Sequence, residues 1–278
     1  MHLIQAILMG IVQGLSEFLP ISSSAHIVFA SNFYKVFKGI EHTQNLNQEI
    51  FLDIMLHVGT LIAVLIYFRK ELLAIIKALN EGFKTKDYSS EDFKIGVYII
   101  LGTVITVLVA YPLSELAAKF VFMPEVVALL LILTGLILLF AEFIAKKRVE
   151  KTQITLKNSI LMAIAQGLAA LPGFSRSGLT IATGLMAGND RTTAAKYSFL
   201  LSIPIILGAS MFYPIFAIDL KEVVTYNWSA IVLGTLVSGV VGYLCIKYFM
   251  KFLSKFSLSA FGYYCIIMGC FAFVFFMK

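Results

Sequence analysis

The chain has 278 residues, of which 59% are hydrophobic and 14% charged, with a mean hydropathy of +0.90. A soluble domain has about 25% charged and about 45–50% apolar residues, so the composition excludes an ordinary soluble protein. The net charge of +6 comes from 22 basic and 16 acidic residues. The basic residues occur in separate clusters between apolar runs, which is typical of membrane topology and not of nucleic-acid binding. The composition therefore predicts a membrane protein made of helices.

The first fifty residues contain two short apolar segments separated by a proline. Met1–Ser16 and Ile21–Tyr34 are shorter than the roughly 20 residues that cross a bilayer, and Pro20 interrupts the helix between them. No cleaved signal peptide is expected, because the segment lacks a basic start and a small-residue cleavage site. We expect a re-entrant helical hairpin that enters the membrane from the outer side.

Four later uncharged segments reach the roughly 20 residues that span a bilayer: Ile95–Ser114, Tyr197–Ile218, Val223–Ile246 and Phe256–Met277. Two further spans are expected that carry or adjoin polar residues, Phe51–Phe68 with Asp53 and His57 and Val126–Ala141 next to Glu142. Lysine and arginine cluster in three segments: residues 69–94, residues 146–157, and Lys247, Lys251 and Lys255. Because basic loops stay on the cytoplasmic side, these clusters predict that both chain termini lie outside. Glu142, next to a basic loop, is expected to extend to the membrane interface.

Residues 13–26, QGLSEFLPISSSAH, are repeated in altered form as residues 166–180, QGLAALPGFSRSGLT. With an offset of 153 positions, nine of the 21 residues from 7 to 27 are identical to their counterparts. Three full spans follow the first hairpin, and this odd number inverts the second copy. The predicted fold is an all-α polytopic membrane protein with six transmembrane helices and two re-entrant hairpins in an inverted-topology repeat. The repeats, roughly 1–145 and 158–278, form a single integral membrane domain and are joined by a basic cytoplasmic loop, 146–157.

The tips of the two hairpins carry hydroxyl groups and an arginine. Serine after a helix break is a preferred N-cap, and a helix N-terminus favours anions, phosphate in particular. Arg176 lies at the second tip, and its planar fork suits phosphate oxygens. The sequence therefore predicts an anion-binding pocket between the tips, where inverted repeats place their sites. Its predicted hydroxyl lining is Ser22, Ser23, Ser24, Ser175, Ser177 and Thr180.

Four further polar side chains lie in or near these apolar segments. Glu17 is expected to be ionised if Arg176 or a metal ion lies nearby, and His26 could accept or pass on a proton. Asp53 and His57 are four residues apart and therefore share one helical face. They are expected to line the outer mouth of the pocket. A zinc site is not expected there, because the sequence shows no third ligand.

The chain resembles a known family, the undecaprenyl-diphosphate phosphatases associated with bacitracin resistance. The resemblance rests on Gln13 and Glu17 in an [E/Q]-x-x-x-E pattern, on LPISSSAH (19–26), on PGFSRSGLT (172–180) and on YSFLLSIP (197–204). It covers essentially the whole chain. The resemblance implies removal of one phosphate from a C55 lipid diphosphate at the outer leaflet, with Mg²⁺ or Ca²⁺ as cofactor, which regenerates the carrier for cell-wall synthesis.

The resemblance also implies roles for individual residues. Glu17, Ser23, His26 and Arg176 match the family's catalytic set, and Glu17 is the expected metal-holding residue. Ser175, Ser177 and Thr180 match its phosphate-binding loop, and Gly173 falls within the same motif. Gln13 stands where many members have glutamate, so it is expected to bind substrate without supplying a carboxylate. Apart from the resemblance, Ser22 and Ser24 at the first tip and Asp53 at the pocket mouth are also expected to bind substrate.

The implied partners are a polyprenyl diphosphate and membrane lipids, with no nucleic acid, and a homodimer is compatible with this interpretation. The implied location is the bacterial cytoplasmic (inner) membrane, multi-pass, with the site opening to the outer, periplasmic side. The nucleophile stays open: Ser23 or His26 could attack with the other assisting, or His26 could activate water. Two other classes of protein stay open as well, a transporter or flippase of a phosphorylated lipid and a purely structural protein.

Overall fold

The computed structural model describes residues 3–38, 46–146, 152–217, 223 and 225–277, and these residues form an all-helical protein. Six helices are long and apolar enough to cross a membrane: Ile50–Tyr67, Glu91–Phe120, Pro124–Ala145, Arg191–Met211, Trp228–Leu253 and Ser259–Phe276. Each overlaps one of the six spans that the sequence predicts. The prediction of an all-α protein with six candidate membrane-spanning helices is confirmed.

The helices are numbered here in chain order. They are α1 (Leu3–Ser16), α2 (Ser23–Lys38), α3 (Leu46–Tyr67), α4 (Arg69–Thr85), α5 (Glu91–Ala110), α6 (Ser114–Phe120), α7 (Pro124–Ala145), α8 (Leu156–Leu168), α9 (Arg176–Met186), α10 (Arg191–Ala217), α11 (Trp228–Leu253) and α12 (Ser259–Phe276). A single 3₁₀ turn, Tyr111–Leu113, joins α5 to α6.

The two predicted hairpins appear as pairs of short helices, α1 with α2 and α8 with α9. A non-helical break of a few residues separates the members of each pair. Their re-entrant insertion and the division into inverted repeats at 1–145 and 158–278 stay predictions. Residues 147–151 of the predicted loop 146–157 lie outside the described residues.

The basic segment 69–94 is not a simple loop, because its first seventeen residues form α4. This helix alternates apolar and charged residues at helical spacing, which is typical of a helix lying along a membrane surface. Ser90 then caps α5 by accepting a hydrogen bond from the Phe93 amide, and Glu91 and Asp92 follow in the first turn, where negative charge stabilises a helix. The sequence indicated a basic loop here, and the helix was not predicted.

Each hairpin packs against a long helix from the other half of the chain. Helix α1 lies along α11, and α8 lies along α5. A Cβ atom on Gly10 would come within 2.6 Å of the Gly234 carbonyl oxygen, so these two backbones are in direct contact. A Cβ atom on Gly167 would likewise lie 3.0 Å from the Thr106 carbonyl oxygen. Such close approach strengthens van der Waals packing between membrane helices.

Glu142 is buried between helices and paired, which the sequence did not predict, and its position relative to the membrane interface stays a prediction. It is 1% exposed and accepts hydrogen bonds from Arg191 Nε at 2.8 Å and Arg191 Nη2 at 2.6 Å. The backbone amide of Leu258 donates a third bond at 2.7 Å. The Arg191 side chain, from α10, supplies the counter-charge that sequence position alone did not reveal. The carboxylate therefore joins α7, α10 and the start of α12.

The contact between α1 and α11 gives a testable expectation for stability. Gly10→Ala should lower the free energy of unfolding by about 1–3 kcal/mol, because the added methyl group must push two helices apart. Gly208→Ala is the matched control, since nothing lies within 4 Å of a Cβ atom placed there. Thermal unfolding in detergent measures both variants. Equal unfolding temperatures for the two would contradict the close packing of α1 on α11.

Candidate active site

The first helix break, residues 17–22, is shaped by Pro20 and Ser22. Proline has no amide hydrogen to continue a helix, and α1 has ended by this point. Ser22 has a φ of +70°, an uncommon backbone conformation for a residue with a side chain. Its hydroxyl caps α2 by accepting a hydrogen bond from the Ala25 amide at 3.2 Å. The chain thus turns sharply and presents Ser23 at the first position of α2.

The second break, residues 169–175, uses a proline and a glycine. Gly173 follows Pro172 with a φ of +106°, which glycine adopts readily. A Cβ atom there would also come within 2.5 Å of the Val127 carbonyl oxygen. Ser175 caps α9 by accepting a bond from the Gly178 amide at 3.0 Å. Arg176 is therefore the first residue of the helix, matching Ser23 of the first break.

The two breaks contact each other. The Gly173 amide donates to Ser24 Oγ at 3.3 Å, and Ser177 Oγ donates to the Leu19 carbonyl oxygen at 3.0 Å. A backbone group of each break is thus bonded by the other break, which satisfies it within the protein. The structure confirms that the two tips lie together, which the sequence repeat predicted.

Glu17 and Arg176 form an ion pair across the two breaks. Arg176 Nη2 lies 2.5 Å from Glu17 Oε1, and the two side chains are 17% and 7% exposed. Glu17 Oε2 accepts bonds from Gln13 Nε2 at 2.9 Å and from Ser23 Oγ at 3.0 Å. Of the four residues that match the family's catalytic set, Ser23 and Arg176 thus both contact Glu17, and Gln13 contacts it as well.

Asp53 and His57 approach this cluster from α3. His57 Nε2 lies 3.6 Å from Glu17 Oε2, and His57 Nδ1 lies 3.8 Å from Asp53 Oδ1. The sequence analysis placed both residues at the pocket mouth and did not predict that His57 would face Glu17. Their spacing of four residues places Asp53 and His57 on one face of a helix, but it does not predict which other residues that face contacts.

His26 is engaged elsewhere. Its Nδ1 bonds to the Ser22 carbonyl oxygen at 2.8 Å, and its Nε2 bonds to the Tyr264 hydroxyl at 2.7 Å. The two rings are stacked with centroids 5.7 Å apart and planes 6° apart. Because a carbonyl only accepts, Nδ1 carries a hydrogen, and in the neutral ring the Tyr264 hydroxyl donates to Nε2. Tyr264 lies in an apolar segment of α12, where the sequence offered no signal for this role.

The remaining predicted hydroxyl groups are bonded inside the protein. Thr180 Oγ1 donates to the Arg176 carbonyl oxygen at 2.8 Å and lies 2.6 Å from Ser198 Oγ. Ser175 and Ser177 are each 1% exposed, and their hydroxyl oxygens lie 3.3 Å apart. The Ser175 amide donates to Thr134 Oγ1, a second contact that the sequence did not suggest. These side chains hold the Arg176 loop in its present shape.

Three buried polar atoms in this region have no hydrogen-bond partner within the described part of the chain. They are Gln13 Oε1, Asp53 Oδ1 and Arg176 Nη1. Buried polar groups are normally satisfied, so each such atom indicates a group still to be bound. The two oxygens accept and suit a cation, whereas the guanidinium nitrogen donates and suits an anion. The arrangement can therefore bind a phosphate oxygen at Arg176 and a metal ion near Glu17.

Comparisons with known proteins identify the family of the chain. The family model described as bacitracin resistance protein BacA matches residues 6–271. The undecaprenyl-diphosphatase of Methanobrevibacter smithii is 40% identical, over 99% of this chain and 98% of that protein. Undecaprenyl-diphosphatase 1 of Pseudoalteromonas translucida is 36% identical over 97% of each chain, and undecaprenyl-diphosphatase 2 of Halalkalibacterium halodurans is 37% identical over 99% and 97%. The chain therefore belongs to the BacA bacitracin resistance family.

Proposed function

We propose that this protein hydrolyses undecaprenyl diphosphate to undecaprenyl phosphate and inorganic phosphate, and so recycles a lipid carrier for cell-wall synthesis. The relatives carry the name of this activity over nearly the full length of the chain. The observation that supports it most directly is the Arg176–Glu17 pair, which places a phosphate-binding guanidinium where two helix breaks meet. The quoted relatives are named as diphosphatases, so the transporter alternative gains no support.

The contacts favour Ser23 as the attacking group. Its hydroxyl already donates to Glu17, whereas both ring nitrogens of His26 are engaged by Ser22 and Tyr264. In the proposed step, Ser23 Oγ bonds to the terminal phosphorus and the bond from that phosphorus to the bridging oxygen breaks. The hydroxyl proton passes to Glu17, and lipid phosphate leaves. Water then hydrolyses the phosphoserine and restores the enzyme.

Arg176 stabilises the charge that spreads over the transferred phosphoryl oxygens. Its Nη1 has no partner among the described atoms, and its Nη2 binds Glu17. A proton that reaches Glu17 removes the charge that holds Nη2. The guanidinium is then free to bind phosphate with a second nitrogen while the reaction proceeds.

A divalent cation, Mg²⁺ or Ca²⁺, is the proposed cofactor. When bound, it would neutralise negative charge on the diphosphate. Gln13 Oε1 and Asp53 Oδ1 are the free oxygens that fit such an ion. Glu17 adds negative charge beside them, although its oxygens already accept from Arg176, Gln13 and Ser23. That Glu17 itself holds the ion stays a prediction.

Six apolar helices fit a multi-pass membrane protein. We propose that this membrane is the bacterial inner membrane and that the site opens to the periplasmic side, within a single domain of two inverted repeats. The proposed partners are a polyprenyl diphosphate and membrane lipids, without nucleic acid. A homodimer stays a prediction.

The orientation can be tested with single cysteines introduced into a cysteine-free background. Cysteines at Ser89 and Lys255 should react only after the membrane is permeabilised, because both lie next to basic segments. Cysteines at Ser114 and Ser229 should react with an impermeant maleimide in intact cells. One membrane crossing separates Ser114 from Ser89, and another separates Ser229 from Lys255. Labelling of Ser89 from outside would overturn the proposed orientation.

The activity can be tested with farnesyl diphosphate, a shorter substrate that dissolves in detergent. Purified protein should release inorganic phosphate, EDTA should abolish the release, and excess Mg²⁺ should restore it. Glu17→Gln is the matched inactive control, because it keeps the size of the side chain and removes its charge. No phosphate release from farnesyl or undecaprenyl diphosphate by well-folded protein would refute the proposed function.

Arg176→Lys tests whether geometry or charge alone matters at the second tip. Lysine keeps the positive charge but not the planar fork. Loss of one charge-assisted hydrogen bond, worth about 1.5–3 kcal/mol, should lower kcat/KM by roughly one to two orders of magnitude. If the contact forms mainly in the transition state, kcat should fall in parallel.

Arg191→Lys is the control for this experiment, because Arg191 also binds a buried glutamate but lies away from the tips. It should lower the unfolding temperature and keep turnover near that of the unmodified protein. Near-normal turnover of Arg176→Lys would show that Arg176 acts only as a counter-ion to Glu17.

A further inference from the structure

The hydrogen bonds of His57 fix which of its nitrogens carries hydrogen. Nδ1 lies 2.8 Å from the Asp53 carbonyl oxygen, which can only accept, so Nδ1 is the donor. In the neutral imidazole, Nε2 then has a lone pair and no hydrogen. This lone pair lies on the atom that is 3.6 Å from Glu17 Oε2. Two electron-rich atoms therefore lie close together.

A direct hydrogen bond does not account for this contact. The separation of 3.6 Å is too long for one. Glu17 Oε2 also accepts already from Gln13 and Ser23. By contrast, two ligands of one Ca²⁺ ion, each bonded at about 2.3–2.6 Å and at a right angle to each other, lie roughly 3.3–3.7 Å apart. The distance between Nε2 and Oε2 is close to this value.

Two independent observations indicate a cation at the same place. Gln13 is fully buried, and its Oε1 has no hydrogen-bond partner among the described residues. Asp53 Oδ1, 3.8 Å from His57 Nδ1, also accepts no hydrogen bond there. The His57 side chain is 30% exposed, so an ion can reach it from outside the protein. Three acceptors around Glu17 thus lack a donor.

We infer that His57 Nε2 is a nitrogen ligand of a divalent cation held beside Glu17, together with oxygens of Asp53 and Gln13. This inference rests on the proposed function and adds a metal-binding residue to it. No three His, Cys, Asp or Glu side chains in the described ranges form a cage for an ion. The remaining ligands are therefore water and diphosphate oxygens, as is usual for Mg²⁺.

The nitrogen ligand can be detected with Mn²⁺ as the probe. Pulsed electron paramagnetic resonance of the purified protein with Mn²⁺ and methylenediphosphonate, an analogue of the diphosphate group that does not hydrolyse, should show coupling to ¹⁴N. Labelling the protein with ¹⁵N-histidine should convert this coupling to ¹⁵N. The label tests for a histidine ligand without any substitution, so it does not depend on the folding of a variant.

Substitution identifies which histidine is responsible. His57→Gln should remove the nitrogen coupling and weaken Mn²⁺ binding about tenfold or more. It should also lower by a similar factor the Ca²⁺ concentration that displaces Mn²⁺, because Ca²⁺ prefers the oxygen of the new side chain. His26→Gln is the matched control and should keep the coupling, since both of its ring nitrogens bond within the protein.

The outcomes separate this inference from the proposed function. Coupling that is absent from the unmodified protein, or that persists in His57→Gln, overturns the metal-ligand role and leaves His57 as a protonated partner of Glu17. Normal phosphate release in that case keeps the proposed function. If the coupling is lost in His57→Gln but the unmodified protein releases no phosphate, the metal site is supported and the proposed function is overturned.

Discussion

The ion pair between Glu17 and Arg176 is the interaction on which the site depends. Both side chains are largely buried, and burying a charge without a partner is costly. Each lies at a break between short helices, and their contact brings the two breaks together. Removing one partner would leave a buried charge uncompensated, which is far more costly than the pair itself.

The helix breaks are tolerated because each satisfies the polar groups of the other. The Gly173 amide donates to Ser24 Oγ, and Ser177 Oγ donates to the Leu19 carbonyl oxygen. Around them, α1 packs on α11 and α8 packs on α5 at contacts too close for side chains. A second buried ion pair, between Glu142 and Arg191, ties together the far end of the bundle. The pocket is thus held by a framework that leaves its ligand-binding atoms unsatisfied.

The unsatisfied atoms include both hydrogen-bond acceptors and a hydrogen-bond donor. Among the described residues, acceptors without a donor lie on Gln13 and Asp53, and a donor without an acceptor lies on Arg176. The proposed ligand, a diphosphate with a divalent cation, carries both kinds of partner and so fits a site that holds buried acceptors and a buried donor together. His57 lies on the acceptor side, next to Glu17. A site for a simple anion would need only the donor.

The sequence by itself determined the number and order of the apolar spans and the two pairs of short helices broken near a proline. These follow from local properties: runs of apolar residues, proline and glycine at breaks, and a repeated phrase. The grouping of Glu17, Ser23 and Arg176 was implied by the family resemblance. Contacts between distant segments were decided only by tertiary structure. Glu142 pairs with Arg191, and His26 bonds to Tyr264. His57 lies next to Glu17, and the Thr180 hydroxyl bonds to that of Ser198. Periodicity shows which residues share a face of one helix, but the packing of helices decides what that face contacts.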